Sequence, residues 1–330
     1  MSRPKKLIIF FMTLFVLLCS YWAIGRNIMV KAISDKIVTL QSEGYKVVHQ
    51  GLSIGGFPLK FRARLAELDV AAPRSDAKPW SIKGEDWRME ALTLNPFKWT
   101  VIHRGEARID MRGPKGERWL FDAQPMNVEV TARVNMSGEL TAYTLTSTKL
   151  KTESIIGTLP PVVAIDDARL QVGPEGEDMR YAAELKNIYL EKDSLGALQR
   201  AFGPRIERLS GAALAIDLQS LDETAVEAWQ SKGQLTGEGW ELSWGGTNFV
   251  GGFNLTQSST GLSGVIRIEV KDINALISRL EDAAILSANQ ARNAKLASVL
   301  LPMNAQGRQE IQLTLRDGYL TLFGQKIYAL

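Results

Sequence analysis

The chain has 330 residues, with 39 basic and 36 acidic side chains and a net charge of +3. Arg3, Lys5 and Lys6 carry that excess, and without them 36 basic residues face 36 acidic ones. Such balance argues against nucleic acid as a partner and against strong docking to an anionic surface. The one cysteine, Cys19, lies in the apolar leader, so the body has no disulfide and relies on its size to bury a core.

Leu7–Gly25 is a run of 19 residues without a charge. As a helix it measures about 28 Å, enough for the hydrocarbon core of a bilayer. The three leading basic residues put the N-terminus in the cytoplasm and the body across the membrane. Tyr21 and Trp22 fall near the exit interface, where amphipathic rings prefer to sit. A cleaved signal peptide is the competing reading. No clear small-x-small site follows the run, and Leu18 is too bulky to precede a lipidated Cys19. The expectation is an uncleaved signal anchor over 1–26.

Asn27–Ser42 carries Ile33, Ile37 and Leu40 on one helical face, which predicts a stalk helix over 27–44 stopped near Gly44. From 45 to 330 the sequence predicts a β-rich body, with a possible internal boundary near 220–235. Leu59, Phe61, Ala63 and Leu65 alternate with Lys60, Arg62 and Arg64, the pattern of a strand with one wet face. Gly55-Gly56-Phe57-Pro58 just ahead of it predicts a bend at a sheet edge. Turns are expected at 73–79 and at Gly113–Gly116. Strands are expected around Met89–Leu94, Trp99–Ile102, Val128–Val134, Leu140–Leu150, Ala164–Val172, Met179–Leu190 and Ala212–Leu218. Short helices are expected at Ser194–Phe202, capped by Ser194, and at Asp222–Ser231, capped by Asp222.

The last hundred residues are the most regular. Trp240, Leu242 and Trp244 alternate, then Phe249 to Leu255, then Leu262 to Val270, a meander with a turn about every ten residues. Asp272 opens a helical stretch to Leu301, long enough to be two helices or a bent one. Ile311–Leu315, a turn at Asp317-Gly318 and Tyr319–Phe323 close the chain. The predicted fold is mainly β with a few helices: a long curved antiparallel sheet forming a groove or an open barrel.

Two regions carry a family resemblance. One is the N-terminal anchor followed by Gly56-Phe57-Pro58-Leu59-Lys60-Phe61. The other runs from Gly239-Trp240-Glu241-Leu242-Ser243-Trp244-Gly245 through Gly261-Leu262-Ser263-Gly264 and a helix to Leu315-Arg316-Asp317-Gly318-Tyr319-Leu320. Together they resemble the proteobacterial domain-of-unknown-function family twenty-one twenty-five, and more distantly the AsmA-like group. The resemblance implies an inner-membrane anchor, a periplasmic body and sheet architecture. It brings no site residues, and lipid handling follows only by analogy.

Gly51-Leu52-Ser53-Ile54-Gly55 matches G-x-S-x-G, but a hydrolase needs a helix right after the serine and here an alternating strand follows. His49 and His103 are the only histidines to serve as base. Ser75-Asp76-Ala77-Lys78 matches S-x-x-K in a polar turn without its companion motifs. No Walker, dinucleotide, calcium-loop or zinc spacing occurs, so no enzyme, cofactor or metal is expected. What remains is an apolar face of Phe57, Leu59, Phe61, Leu65, Trp240, Leu242, Trp244, Phe253, Ile266, Ile268, Leu320 and Leu322. Such a face is either a core closed by the helices or a surface that binds lipid acyl chains. The functional expectation is a membrane-anchored binder of lipid in envelope maintenance. A scaffold for another envelope protein is the alternative, and a Ser53 hydrolase a remote one.

Overall fold

The computed structural model describes residues 3–73, 79–112, 116, 118–124, 127–136, 140–156, 161–221, 223–258, 261–316, 319–322 and 325–329. Ser75 and Lys78, Asp222, the Asp317-Gly318 turn, Phe323 and most of the Gly113–Gly116 turn lie outside them. The chain divides into two compact units, residues 1–136 with 152–158, and residues 137–151 with 159–330.

The first unit begins with one unbroken helix, α1 (Arg3–Ser42), of 40 residues. The sequence separates an anchor from a stalk, but Gly25 and Arg26 do not interrupt the helix. It ends where expected: Gly44 takes φ +91°, and the Tyr45 amide donates to the Leu40 carbonyl at 3.0 Å. The strands that follow are β1 (Lys46–Val48), β2 (Gly51–Gly55), β3 (Lys60–Ala71), β4 (Ser81–Leu92), β5 (Asn95–Arg112), β6 (Arg118–Gln124) and β7 (Asn127–Val134). β3 pairs with β1, β2 and β4, and β5 pairs with β4, β6 and β7, all antiparallel.

Register sorts this sheet into two unlike faces. Leu52, Leu65, Trp87, His103 and Val128 lie opposite one another across five strands, and Ile54, Ala63, Met89, Val101 and Val130 form the next row. The alternate positions carry Arg62, Arg64, Asp86, Arg88 and Glu90. Arg64 meets Asp86 across strands at 2.7 Å and Arg62 meets Glu90 at 2.5 Å, while Arg88 meets Asp86 along β4 at 2.7 Å. This half-charged composition hides β6 and the outer parts of β4 and β5 from a search for apolar runs. Their sequence is held in place by pairs such as Arg108–Asp122 and Arg118–Asp110.

The second unit holds β8 (Leu140–Ile156) up to residue 151, with 152–156 counted in the first unit, then β9 (Val162–Glu175), β10 (Asp178–Leu190), α2 (Gly196–Phe202), β11 (Arg205–Ile216) and α3 (Glu223–Lys232). Then come β12 (Gln234–Trp244), β13 (Thr247–Ser258), β14 (Gly261–Val270), α4 (Ile273–Asp282), α5 (Ala288–Ser298), β15 (Gln309–Arg316), β16 (Tyr319–Leu322) and β17 (Gln325–Ala329). Each strand from β8 to β17 pairs antiparallel with the next. The mainly β, antiparallel expectation therefore holds. Among the described residues, no ladder closes the sheet of either unit into a barrel.

Helices cover parts of one face of the second sheet. α2 and α4 bring Phe202 and Leu276 onto Ile188, Leu190, Trp244 and Val270. Trp229 of α3 packs beside Met179, Ala215 and Leu218, and its indole donates to the Ile216 carbonyl at 2.9 Å. The long helical stretch is two helices, as its length suggests. Asp272 caps α4 by accepting from the Ala275 amide at 2.9 Å, and Ser287 with Gln290 forms a capping box at α5. Ser194 is no cap: α2 starts after Leu195 with no side-chain hydrogen bond at its end.

Candidate functional site

The twelve apolar residues singled out in the sequence fall into two groups, one in each unit. In the second unit, Leu242 faces Phe249, Phe253 faces Ile266, Ile266 faces Leu313, and Leu313 faces Leu322. Leu320 faces Leu315, and Ile268 faces Ile311. Register thus lines them on one sheet face, as their alternation requires. Trp244 is buried, with its indole donating to the Gly203 carbonyl at 2.9 Å under Phe202. Leu242 and Ile268 pack at the margin of the same cluster. Trp240, Phe253, Ile266 and Leu320 are half-buried. The Leu322 side chain lies outside what the structure describes.

In the first unit the four residues separate. Phe61 and Leu65 are buried, whereas Phe57 and Leu59 are 46% and 70% exposed. The cause is α1. Met29 of α1 joins Phe61 and Ala63 in one cluster, flanked by Trp22, Ile33, Leu52, Ile54, Met89 and Trp99. The Trp22 indole stacks on Phe61 with ring centroids 6.2 Å apart and donates to the Lys60 carbonyl at 2.9 Å. Gly25 explains the close approach: a Cβ there would stand 2.5 Å from the Phe61 ring. A mid-helix glycine costs about 1 kcal/mol relative to alanine, and here it makes room for the ring.

Beside this seam lies an apolar cavity of about 370 Å³. Tyr21, Ile24, Gly25, Ile28, Met29, Ala32 and Ile33 of α1 form one wall, and Phe61, Met89, Pro96 and Trp99 of the sheet form the other. No carboxylate, lysine, arginine or histidine lines it. Its volume falls within the range of small-molecule sites, about 300–1,000 Å³. Sequence reasoning named Phe61 but missed the helix residues, because Ile28, Met29 and Ala32 read only as parts of a stalk.

The family comparison covers this seam. Residues 22–326 match the model of a family described as "Uncharacterized protein conserved in bacteria (DUF2125)". The chain belongs to this family. No curated protein and no solved structure matches it. The DUF2125 match starts at Trp22, the residue whose indole ties α1 to β3. It therefore includes the cavity wall from Ile24 to Ile33, and it leaves out most of the uncharged run.

Within the DUF2125 sheet, Ser53 lies in the middle of β2 opposite Arg64 and is exposed. Its neighbours Leu52 and Ile54 point to the face that carries His103, so by strand alternation Ser53 points to the other. His103 is buried, stacked on Trp87 with centroids 4.3 Å apart, and its Nδ1 lies 3.2 Å from the Asp86 carbonyl. Since a carbonyl only accepts, that nitrogen carries the proton. Burial holds the His103 imidazole below its ordinary value. On the charged face, the Lys60 hydrogen bond comes first among the causes that hold the Glu90 carboxyl low. Burial pushes Asp86 up, but Arg88 and Arg64 together outweigh it and the net direction is down.

Proposed function

We propose that this protein is a single-pass membrane-anchored binder of lipid acyl chains, acting in maintenance of the bacterial envelope without catalysing a reaction. α1 is long and apolar enough to cross a bilayer. The basic residues ahead of its uncharged run favour a cytoplasmic N-terminus and a periplasmic body in the inner membrane. The observation that carries the lipid reading is the apolar cavity, whose helical wall continues directly from the uncharged run. A wall of Ile24, Ile28, Met29, Met89 and Trp99 offers no partner to a charged or strongly polar ligand. It suits a saturated or unsaturated chain, at roughly 0.8 kcal/mol per buried CH₂. The half-buried row of Trp240, Phe253 and Ile266 in the second unit offers further apolar surface of the same kind. The distribution of Ser53 and His103 on opposite faces supports the non-catalytic reading.

The test uses the full chain in vesicles that contain a phospholipid with a photoreactive acyl chain. Crosslinks should map to Met89 and Ile33, beyond the uncharged run, and Met89→Trp, which fills the cavity, should abolish them while far-ultraviolet circular dichroism stays unchanged. Crosslinks confined to Leu7–Gly25 would count against the lipid site and leave the anchor intact. A second reading, a scaffold for another envelope protein, is favoured by one observation. Leu296, Val299, Leu300 and Met303, at and just after α5, are all exposed, Leu300 by 85%.

A further inference from the structure

The two hairpin tips beside α1 present a second apolar surface, made by Phe57 and Leu59 between β2 and β3 and by Leu92, Leu94 and Phe97 around the β4–β5 turn. All five are exposed, from 46% for Phe57 and Phe97 to 88% for Leu94. No charged residue occurs in 55–59 or in 92–97. An exposed cluster of this size on a soluble surface calls for an occupant.

Its position along α1 identifies one. The Phe57 ring lies 6.4 Å from the Phe15 ring and 5.3 Å from the Trp22 ring, centroid to centroid. At 1.5 Å per residue, that places Phe57 about 10 Å short of Gly25 along the helix axis. A hydrocarbon core of about 30 Å that starts at Leu7 takes about 20 helical residues and ends near Arg26. A bilayer placed around α1 therefore also surrounds the tips.

Four carbonyls of the β2–β3 tip fit that surrounding. Lipid offers no hydrogen bonds, so buried carbonyls need partners inside the protein. The Gly56 carbonyl accepts from the Lys60 amide at 2.9 Å, and the Pro58 carbonyl accepts from the Thr93 hydroxyl at 2.8 Å. The Leu59 carbonyl accepts from the Thr93 amide at 3.0 Å, and the Lys60 carbonyl accepts from the Trp22 indole at 2.9 Å. Pro58 has no amide hydrogen to satisfy. Thr93 is buried and ties the two tips together. The first charges up the strands are Lys60 and Lys98. The Lys60 carbonyl lies beside Trp22, about 6 Å short of Arg26 along the helix, and its ammonium reaches on to Glu90, which stands opposite Arg62 and so farther from the tip, within reach of phosphate.

We infer that the β2–β3 and β4–β5 tips are embedded in the hydrocarbon of the leaflet that α1 leaves at Gly25, with the bilayer itself as their occupant. The inference rests on the reading of α1 as a membrane anchor. It makes the first unit a body sunk into the membrane rather than one held above it, and it brings the mouth of the apolar cavity to the level of the acyl chains.

The experiment is site-directed spin labelling of the full chain, carrying Cys19→Ser, in phospholipid vesicles. Single labels go at Leu59 and Leu94, with Phe11 reporting the anchor and Gln50 reporting water. All are exposed side chains, so a label displaces no core contact. The expected result is that Leu59, Leu94 and Phe11 collide with oxygen and lose collision with a water-soluble nickel chelate, while Gln50 keeps it. Phe11 in lipid with Leu59 and Leu94 in water overturns the inference and leaves the anchor standing. Leu59 and Leu94 shielded from both reagents overturns it in favour of protein cover. Phe11 in water overturns the anchor and the inference with it.

Discussion

His103 shows how one buried residue sets a pH response. Gly84 stands over it, and a Cβ there would lie 2.6 Å from the imidazole and 2.8 Å from the Trp87 indole nitrogen. His103 is 1% exposed there, and burial lowers its titration. The imidazole titrates lower in the folded chain than its unfolded value of about 6.5, so below that value the unfolded chain binds more protons. The stability it contributes is complete above about pH 6.5 and is lost as pH falls toward its folded value. Urea unfolding from about pH 7.5 to about pH 5 should show a falling midpoint, and His103→Phe should flatten that slope. An unchanged slope in the variant would assign the response elsewhere. Asp86 and Glu90 are depressed carboxylates, so their contributions are present above their unfolded values and disappear only in stronger acid. At this scale the sequence was a poor guide. His103 read as a possible general base, and nothing in its neighbourhood announced the Trp87 stack or the Gly84 gap. Phe61 and Leu65 were legible from alternation alone.

Elements were legible where the local signal was strong. The Asp272 cap, the break within 272–301 and the end of α1 at Gly44 all follow from residue types with a local mechanism. Asp272→Ala removes the side chain that accepts from the Ala275 amide at the start of α4 and should cost about 1 kcal/mol. Because Ile273, Leu276 and Ile277 of that helix are buried, the loss should appear in the unfolding midpoint of the whole second unit. No measurable loss would mean that packing alone positions the helix. Strands with one charged face were harder to see. β6 and the start of β4 escaped because cross-strand ion pairs replace apolar alternation on the exposed side. The β2–β3 segment was expected as an edge bend and is instead a hairpin tip that reaches Phe15, a contact no sequence spacing encodes.

For the whole molecule, membership of a bacterial family, a mainly β architecture and one apolar helix were all readable from the sequence. What was not readable is how the apolar face divides. Register puts Trp244 under α2 and leaves Phe253 and Ile266 half-covered, and it puts Phe61 under α1 while Leu59 stays bare. Those outcomes depend on contacts between residues far apart in sequence. The exposed group near α5 belongs to this scale too. A photocrosslinking amino acid at Leu300, introduced in living bacteria, should give one discrete protein adduct if the scaffold reading is right, and the same probe at Leu94 should give none. Absence of a discrete adduct at Leu300 removes the main support for that reading.

On the proposed reading of α1 as a membrane anchor, the unbroken helix, clamped to β3 by Trp22, Gly25 and Met29, also determines how the protein responds to the bilayer. A helix on a flexible stalk adjusts to a thicker or thinner bilayer by tilting alone, at a fraction of a kcal/mol per ångström of mismatch. Here the first unit has to lean with the helix, so bilayer thickness becomes the orientation of the first sheet. The anchor then works as a lever rather than a tether.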